Sequence, residues 1–75
     1  MEILLFGQLA EITGSNIIEV EGCSDTGLLQ GLLETKYPGL RDVKYAIAIN
    51  KKLIQSNTVL AGGESIALLP PFSGG

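Results

Sequence analysis

The sequence predicts an α+β fold, a mixed sheet of four or five strands with one main helix packed on one face. Three observations carry that expectation. Two apolar runs, Ile3–Phe6 and Ile66–Leu69, stand near opposite ends of the chain and read as near-continuously buried strands at the centre of a sheet. Between them the hydrophobic period changes, and Leu28, Leu29, Leu32 and Leu33 fall together on one face of a helix. The whole chain is 75 residues, enough for a single small domain that buries only roughly 60% of its unfolded surface.

The elements follow in order. Ile3-Leu4-Leu5-Phe6 is the first strand and Gly7 ends it. Gln8 to Gly14 is a loop with room for one helical turn. Asn16 to Glu21 partly alternates and reads as the second strand of a hairpin, closed by Gly22. Ser24 or Asp25 then supplies the side-chain oxygen that caps the free N–H groups of a helix of roughly 12 residues. That helix stops at Tyr37-Pro38-Gly39, because the proline drives Tyr37 out of the helical region. Gly31, in mid-helix, costs about 1 kcal/mol relative to alanine, which points to close packing against the sheet. Tyr45 to Ile49 alternates small and large residues and is the clearest strand. Asn50-Lys51-Lys52 is a polar turn into a short strand at Leu53-Ile54. Thr58-Val59-Leu60 is a short extended or 3₁₀ piece, Ala61 to Glu64 a turn, and Ser65 to Leu69 the last strand. Hairpin, helix, hairpin and final strand is a β-grasp (ubiquitin-like) order, with the first and last strands side by side at the sheet centre. Residues 1–69 form the body and residues 70–75 an extended tail.

Composition excludes several functions. Eight acidic residues against five basic ones give a net charge of −3, so nothing offers a nucleic-acid backbone the counter-charge it requires. The chain has no histidine, which removes the usual general base, the commonest metal ligand and every Ser-His or Cys-His pair. Its one cysteine, Cys23, makes neither an internal disulfide nor a structural zinc or iron–sulfur site, and a reducing cytoplasm is the expected compartment. The four apolar residues of the first strand follow an acid and are too few for a signal peptide or a membrane span. No metal, nucleic acid or membrane is therefore expected, and no catalysis by the chain alone. An apolar content of 45% is high for so small a protein and points to apolar surface facing a partner.

The tail carries the functional signal. Leu69-Pro70-Pro71-Phe72-Ser73-Gly74-Gly75 follows the last strand. Pro70 and Pro71 have no N–H, so the sheet ladder fades there, and two prolines favour a stiff polyproline II segment. From Pro70 to Gly75 the arm reaches at most about 20 Å. Gly74 and Gly75 have no Cβ, so the backbone fits a slot too narrow for other residues and leaves the carboxyl group open to attack. The design is an arm that presents a carboxylate inside another protein's active site, with Leu68, Pro70 and Phe72 in an apolar partner-facing patch.

With this tail the chain resembles the small, MoaD-type subunit of molybdopterin synthase, in the ubiquitin-like sulfur-carrier family. Looser matches support it: the start Ile3-Leu4-Leu5-Phe6-Gly7-Gln8-Leu9-Ala10, the helix exit Tyr37-Pro38-Gly39-Leu40, Ala48-Ile49-Asn50, and the glycine-rich turn before the last strand. The resemblance implies that Gly75 is adenylated with ATP by an E1-like, MoeB-type enzyme and converted to a thiocarboxylate, a sulfurtransferase being the sulfur source. It implies insertion of the arm (Pro70, Pro71, Phe72, Ser73 and Gly74) into the large, MoaE-type subunit of a heterotetramer, where sulfur passes to cyclic pyranopterin monophosphate. No permanently bound cofactor is implied. Phe72 stands where the family more often has a smaller aliphatic residue, implying a wider pocket, and Gly63-Glu64 replaces a common Gly-Asp with a local turn change.

Other readings compete. ThiS-like carriers of thiamin thiazole synthesis and tRNA-thiolation carriers also end in Gly-Gly but usually lack the Pro-Pro. A ubiquitin-like modifier would join the same carboxyl group to lysines, and a β-grasp interaction module would carry an inert tail. Among the remaining residues, Cys23 reads as a small loop residue near a helix start, Lys51 and Lys52 as solvated turn charges, and Phe6 and Tyr45 as core or sheet-packing residues. Glu2, Glu11, Glu19 and Glu21 would steer docking onto a basic partner.

Overall fold

The computed structural model describes residues 1–70. Five strands make one sheet: β1 (Glu2–Leu5), β2 (Ile17–Glu19), β3 (Ala46–Ile49), β4 (Lys52–Ile54) and β5 (Ile66–Leu69), in the spatial order β2-β1-β5-β3-β4. Two helices, α1 (Gln8–Thr13) and α2 (Thr26–Lys36), and a 3₁₀ turn over Pro38–Asp42 complete the described elements. As expected, the first and last strands lie side by side; they run parallel, in the register Ile3↔Ile66, Leu4↔Ala67, Leu5↔Leu68. The remaining neighbours are antiparallel, and both hairpins form.

Each central strand buries alternate residues. Ile3 and Leu5 on β1 and Ile66 and Leu68 on β5 point to the helix side and are buried, while Leu4, Ala67 and Leu69 point the other way and are half-exposed. The expectation of near-continuous burial along these strands therefore needs correction. A second layer would have to cover the far face, and every described helix lies elsewhere. Ile47, Leu29, Leu33, Leu40, Leu60 and Leu9 close the core from the helix side.

The helix reading also changes in detail. Asp25 is the cap of α2, its carboxylate accepting the Leu28 N–H at 2.8 Å. Of the four leucines assigned to one face, Leu29 and Leu33 are fully buried, whereas Leu28 is 55% and Leu32 40% exposed. A helix resting on one side of a sheet, with nothing on its outer side, buries only a narrow i, i+4 stripe. Gly31 does not mark close packing either, since a Cβ placed there meets nothing within 4 Å. The stop at Tyr37 holds, with φ −128° and ψ 82°, and the chain then makes the 3₁₀ turn that seats Leu40 in the core.

The helical turn for which Gln8 to Gly14 leaves room is a six-residue helix, Gln8–Thr13, fixed by the complete burial of Leu9. The short piece at Thr58 to Leu60 is extended at Val59, which makes an isolated bridge to Asp25, and Thr26 N–H donates to the Thr58 carbonyl at 2.9 Å. The β3–β4 turn is two residues long, Asn50 and Lys51, both with positive φ (50° and 71°), so Lys52 opens β4. That is the type I′ geometry a tightly twisted hairpin prefers.

Candidate functional site

The arm follows the central strand of the sheet. β5 is paired on both sides, and the last bond to the first strand's end is Phe6 N–H donating to the Leu68 carbonyl at 3.2 Å. On the other side Leu69 is paired with Ala46. Pro70 follows and its ring lies against Gly7, where an added Cβ would come within 2.8 Å of the Pro70 Cγ. Gly7 adopts φ 59° and ψ −136°, a conformation in which a side chain is strained in any case. The strand end, the start of α1 and the root of the arm meet at this one residue. Pro71, Phe72, Ser73, Gly74 and Gly75 lie outside the described residues.

Leu68, expected in the partner-facing patch, is corrected by the structure. Its side chain is fully buried in the core, because it shares the helix-side face with Leu5 and Ile47. The opposite, helix-free face supplies the apolar surface instead. Ile17, Leu4, Ala67, Ala48 and Leu53 are successive cross-strand partners and form one row across all five strands. Its ends are bulky and open, with Ile17 49% and Leu53 51% exposed, and its middle is two alanines. Leu69 and Ala46 form a second row toward the root of the arm. Phe6, read as a packing residue, is instead 46% exposed at the end of β1. The alternation Ala46-Ile47-Ala48-Ile49 was the available signal for this face, since alanine opposite a buried isoleucine leaves a shallow, low-relief surface.

Acidic groups rim one end of that face. Glu2 and Glu19 are directly paired across β1 and β2. The Met1 ammonium group lies 2.9 Å from the Glu19 carboxylate, which raises its pKa above the ordinary value. On the helix side, Tyr45 packs against the core and its hydroxyl donates to Glu34 at 2.7 Å, while Gln30 donates to the same oxygen at 3.4 Å. Burial first, and then the bond to Glu34, push the phenol up to about 12. Cys23, expected as a small loop residue before the helix, is buried in the core. At the turn before β5, Glu64 accepts the N–H groups of Ala61 at 2.6 Å and Gly62 at 2.8 Å, which hold its carboxyl below the usual range.

None of this assembles a nucleophile with a base, and no helix among the described residues is long and apolar enough to cross a membrane. A five-stranded mixed sheet with one main helix, parallel outer strands of the sequence joined at its centre, and an uncovered apolar face defines a ubiquitin-like β-grasp protein. More narrowly, the chain belongs to the ThiS family, whose model matches residues 3–75. A molybdopterin synthase sulfur carrier subunit from Mycobacterium tuberculosis is 34% identical over 80 residues, covering 100% of this chain and 96% of that protein. The human protein of the same name is 38% identical over 82 residues, covering 100% and 93%. Among solved structures, SAMP1 from Haloferax volcanii superposes with a TM-score of 0.78 at 29% identity over 99% of this chain and 97% of that one. The complex of subunits 1 and 2 of molybdopterin-converting factor from Helicobacter pylori contains a chain with a TM-score of 0.67 at 36% identity, with coverage of 99% and 96%.

Proposed function

We propose that this chain is the sulfur carrier subunit of a molybdopterin synthase, which does no chemistry with its own side chains and carries reactive sulfur on Gly75. The observation that carries the reading is the sequence Pro70-Pro71-Phe72-Ser73-Gly74-Gly75 issuing from a strand held on both sides. The full-length relatives of that name support it.

The chemistry follows from the inertness of a carboxylate. In an E1-like, MoeB-type enzyme, a Gly75 carboxylate oxygen attacks the α-phosphorus of ATP, forming an acyl–phosphate bond and expelling pyrophosphate. Sulfide-level sulfur supplied by a sulfurtransferase then displaces AMP to give the thiocarboxylate. In the active site of a MoaE-type large subunit the thiocarboxylate sulfur bonds to a carbon of cyclic pyranopterin monophosphate while that carbon's bond to oxygen breaks, the oxygen leaving with a proton. Water takes the acyl carbon, so the sulfur stays on the product and the Gly75 carboxylate returns. Proximity supplies the rate, because Pro70, Pro71, Phe72, Ser73 and Gly74 thread the nucleophile into the partner's site. The row from Ile17 to Leu53 is the docking face that holds the body while the arm inserts. The assembly is a cytoplasmic heterotetramer, and the only nucleotide used is the activating enzyme's ATP.

The test is intact mass of the protein from its native cell, with the modification localised to the C-terminal peptide. Localisation is needed because oxidation of Met1 or Cys23 adds nearly the same mass as exchanging oxygen for sulfur. Sulfur at Gly75 is the expected result. A plain carboxylate in every pool, even after the activating enzyme, ATP and the sulfurtransferase with its sulfur source are supplied, overturns the reading. A second reading, a modifier joined through Gly75 to lysine amines, is favoured by the likeness to SAMP1, a protein also described as small archaeal modifier protein 1. Isopeptide-linked Gly75 in the same digest would support that alternative.

A further inference from the structure

We propose that Gly7 is the positioning residue of the arm: its bare α-carbon seats the Pro70 ring and thereby sets the direction in which the chain leaves the sheet. The proposal rests on the carrier reading for its kinetic consequence but on geometry for its substance. Three observations converge. Gly7 holds φ 59° and ψ −136°, and a Cβ there would sit 2.8 Å from Pro70 Cγ, a distance real Cβ atoms do not adopt. The Pro70 ring cannot swing aside as a long side chain would, since its φ is fixed by the pyrrolidine. The backbone on both sides of the Gly7 α-carbon is pinned, with Phe6 N–H bonded to the Leu68 carbonyl at 3.2 Å and the Gly7 carbonyl accepting Ala10 N–H at 3.1 Å as α1 begins.

The seat therefore lies between a bonded strand end and a bonded helix start, and relief of a clash falls on Pro70. Pro70 is the first residue beyond the ladder, so a small rotation there changes the direction in which the chain leaves β5. Docking of the body through Leu4, Ala67 and their row leaves that rotation uncorrected, because these residues sit on strands the substitution does not move.

The test compares wild type, Gly7→Ala, Pro70→Ala and the double variant as substrates of the E1-like enzyme, following pyrophosphate release. Misdirection of a reacting group by about 1 Å costs up to about 100-fold in rate. Gly7→Ala is accordingly expected to lower kcat about 10- to 100-fold with KM for the chain unchanged, and the double variant to recover most of that loss, short of Pro70→Ala only by what the positive φ of Gly7 costs any side chain. A purely structural role predicts the reverse split, since a partly unfolded substrate raises apparent KM and leaves kcat at saturation intact. That split, or a double variant no better than Gly7→Ala, overturns the proposal. An enzyme-free measurement separates this from failure of the carrier reading. In the wild-type NMR spectrum Gly7 Hα must show a cross-peak to the Pro70 ring, and Gly7→Ala must shift the amides of residues 72–75 under folding conditions. If wild type releases no pyrophosphate, the carrier reading falls and these spectra decide the seat by themselves; absence of the cross-peak overturns it whatever the kinetics.

Discussion

Asn50 and Ser65 exchange two hydrogen bonds: the Asn50 N–H donates to the Ser65 carbonyl at 2.8 Å, and the Ser65 N–H donates to the Asn50 side-chain oxygen at 3.0 Å. One residue thus closes the β3–β4 hairpin and anchors the start of β5, the strand that delivers the arm. Asparagine suits both tasks, because it tolerates positive φ and carries an acceptor on a short side chain. Asn50→Ala is expected to lose the hydrogen bond and to strain the turn, lowering stability by about 2 kcal/mol. Asn50→Gly keeps the turn and loses only the bond, about 1 kcal/mol. Urea unfolding midpoints of the two variants check the ranking.

Leu68 and Leu28 look alike in sequence and differ in the fold. Leu68→Ala opens a cavity in a fully packed core and is expected to cost about 2–5 kcal/mol, a large fraction of the stability of so small a domain. Leu28→Ala, on the outer side of α2, is expected to change stability by no more than about 0.5 kcal/mol. Thermal unfolding of both decides it.

The docking face can be tested without touching the core. Leu53 stands half-open at the β4 end of the apolar row. Leu53→Glu is expected to leave the melting temperature nearly unchanged and to weaken binding to a MoaE-type subunit by about 10-fold or more, the loss of an apolar contact plus burial of a charge. Calorimetric titration measures it; unchanged affinity would remove this row from the interface.

Stability should respond to pH at both extremes. Tyr45 has a folded pKa raised from 10.0 to about 12, so its contribution is complete below pH 10 and is lost as pH rises through that window. Tyr45→Phe should flatten this alkaline limb, and ultraviolet titration of the wild type should show a tyrosine ionising late. Glu64 has a lowered folded pKa, so its contribution is present above its ordinary 4.5 and fades as pH falls below it. Glu64→Gln should reduce the acid limb of the urea-unfolding profile.

Local sequence was enough where one short-range rule dominated. The proline after Tyr37 ended the helix, Asp25 capped it, and the apolar runs at the two ends became the central parallel pair. It was insufficient where several elements compete for a residue. Leu28, Leu29, Leu32 and Leu33 have the spacing of one face, yet only two reach the core, since how wide a stripe a helix buries depends on how many neighbours it has. Gln8 to Gly14 shows room for a helical turn but not its extent, because the one fully buried residue of α1, Leu9, reveals its value only when the core closes over it.

The β-grasp order, the hairpins and a C-terminal run of two prolines and two glycines are legible in the chain alone, because turn chemistry, period and backbone restriction are written within a few residues. Which apolar residues stay open to solvent depended instead on tertiary packing. It turned Leu68 inward and left Leu4, Ala67 and Leu53 on the uncovered side, because a strand's two faces differ only in what the rest of the chain lays over them. It alone brought Gly7 under Pro70, a contact between residues at opposite ends of the chain that no local pattern encodes.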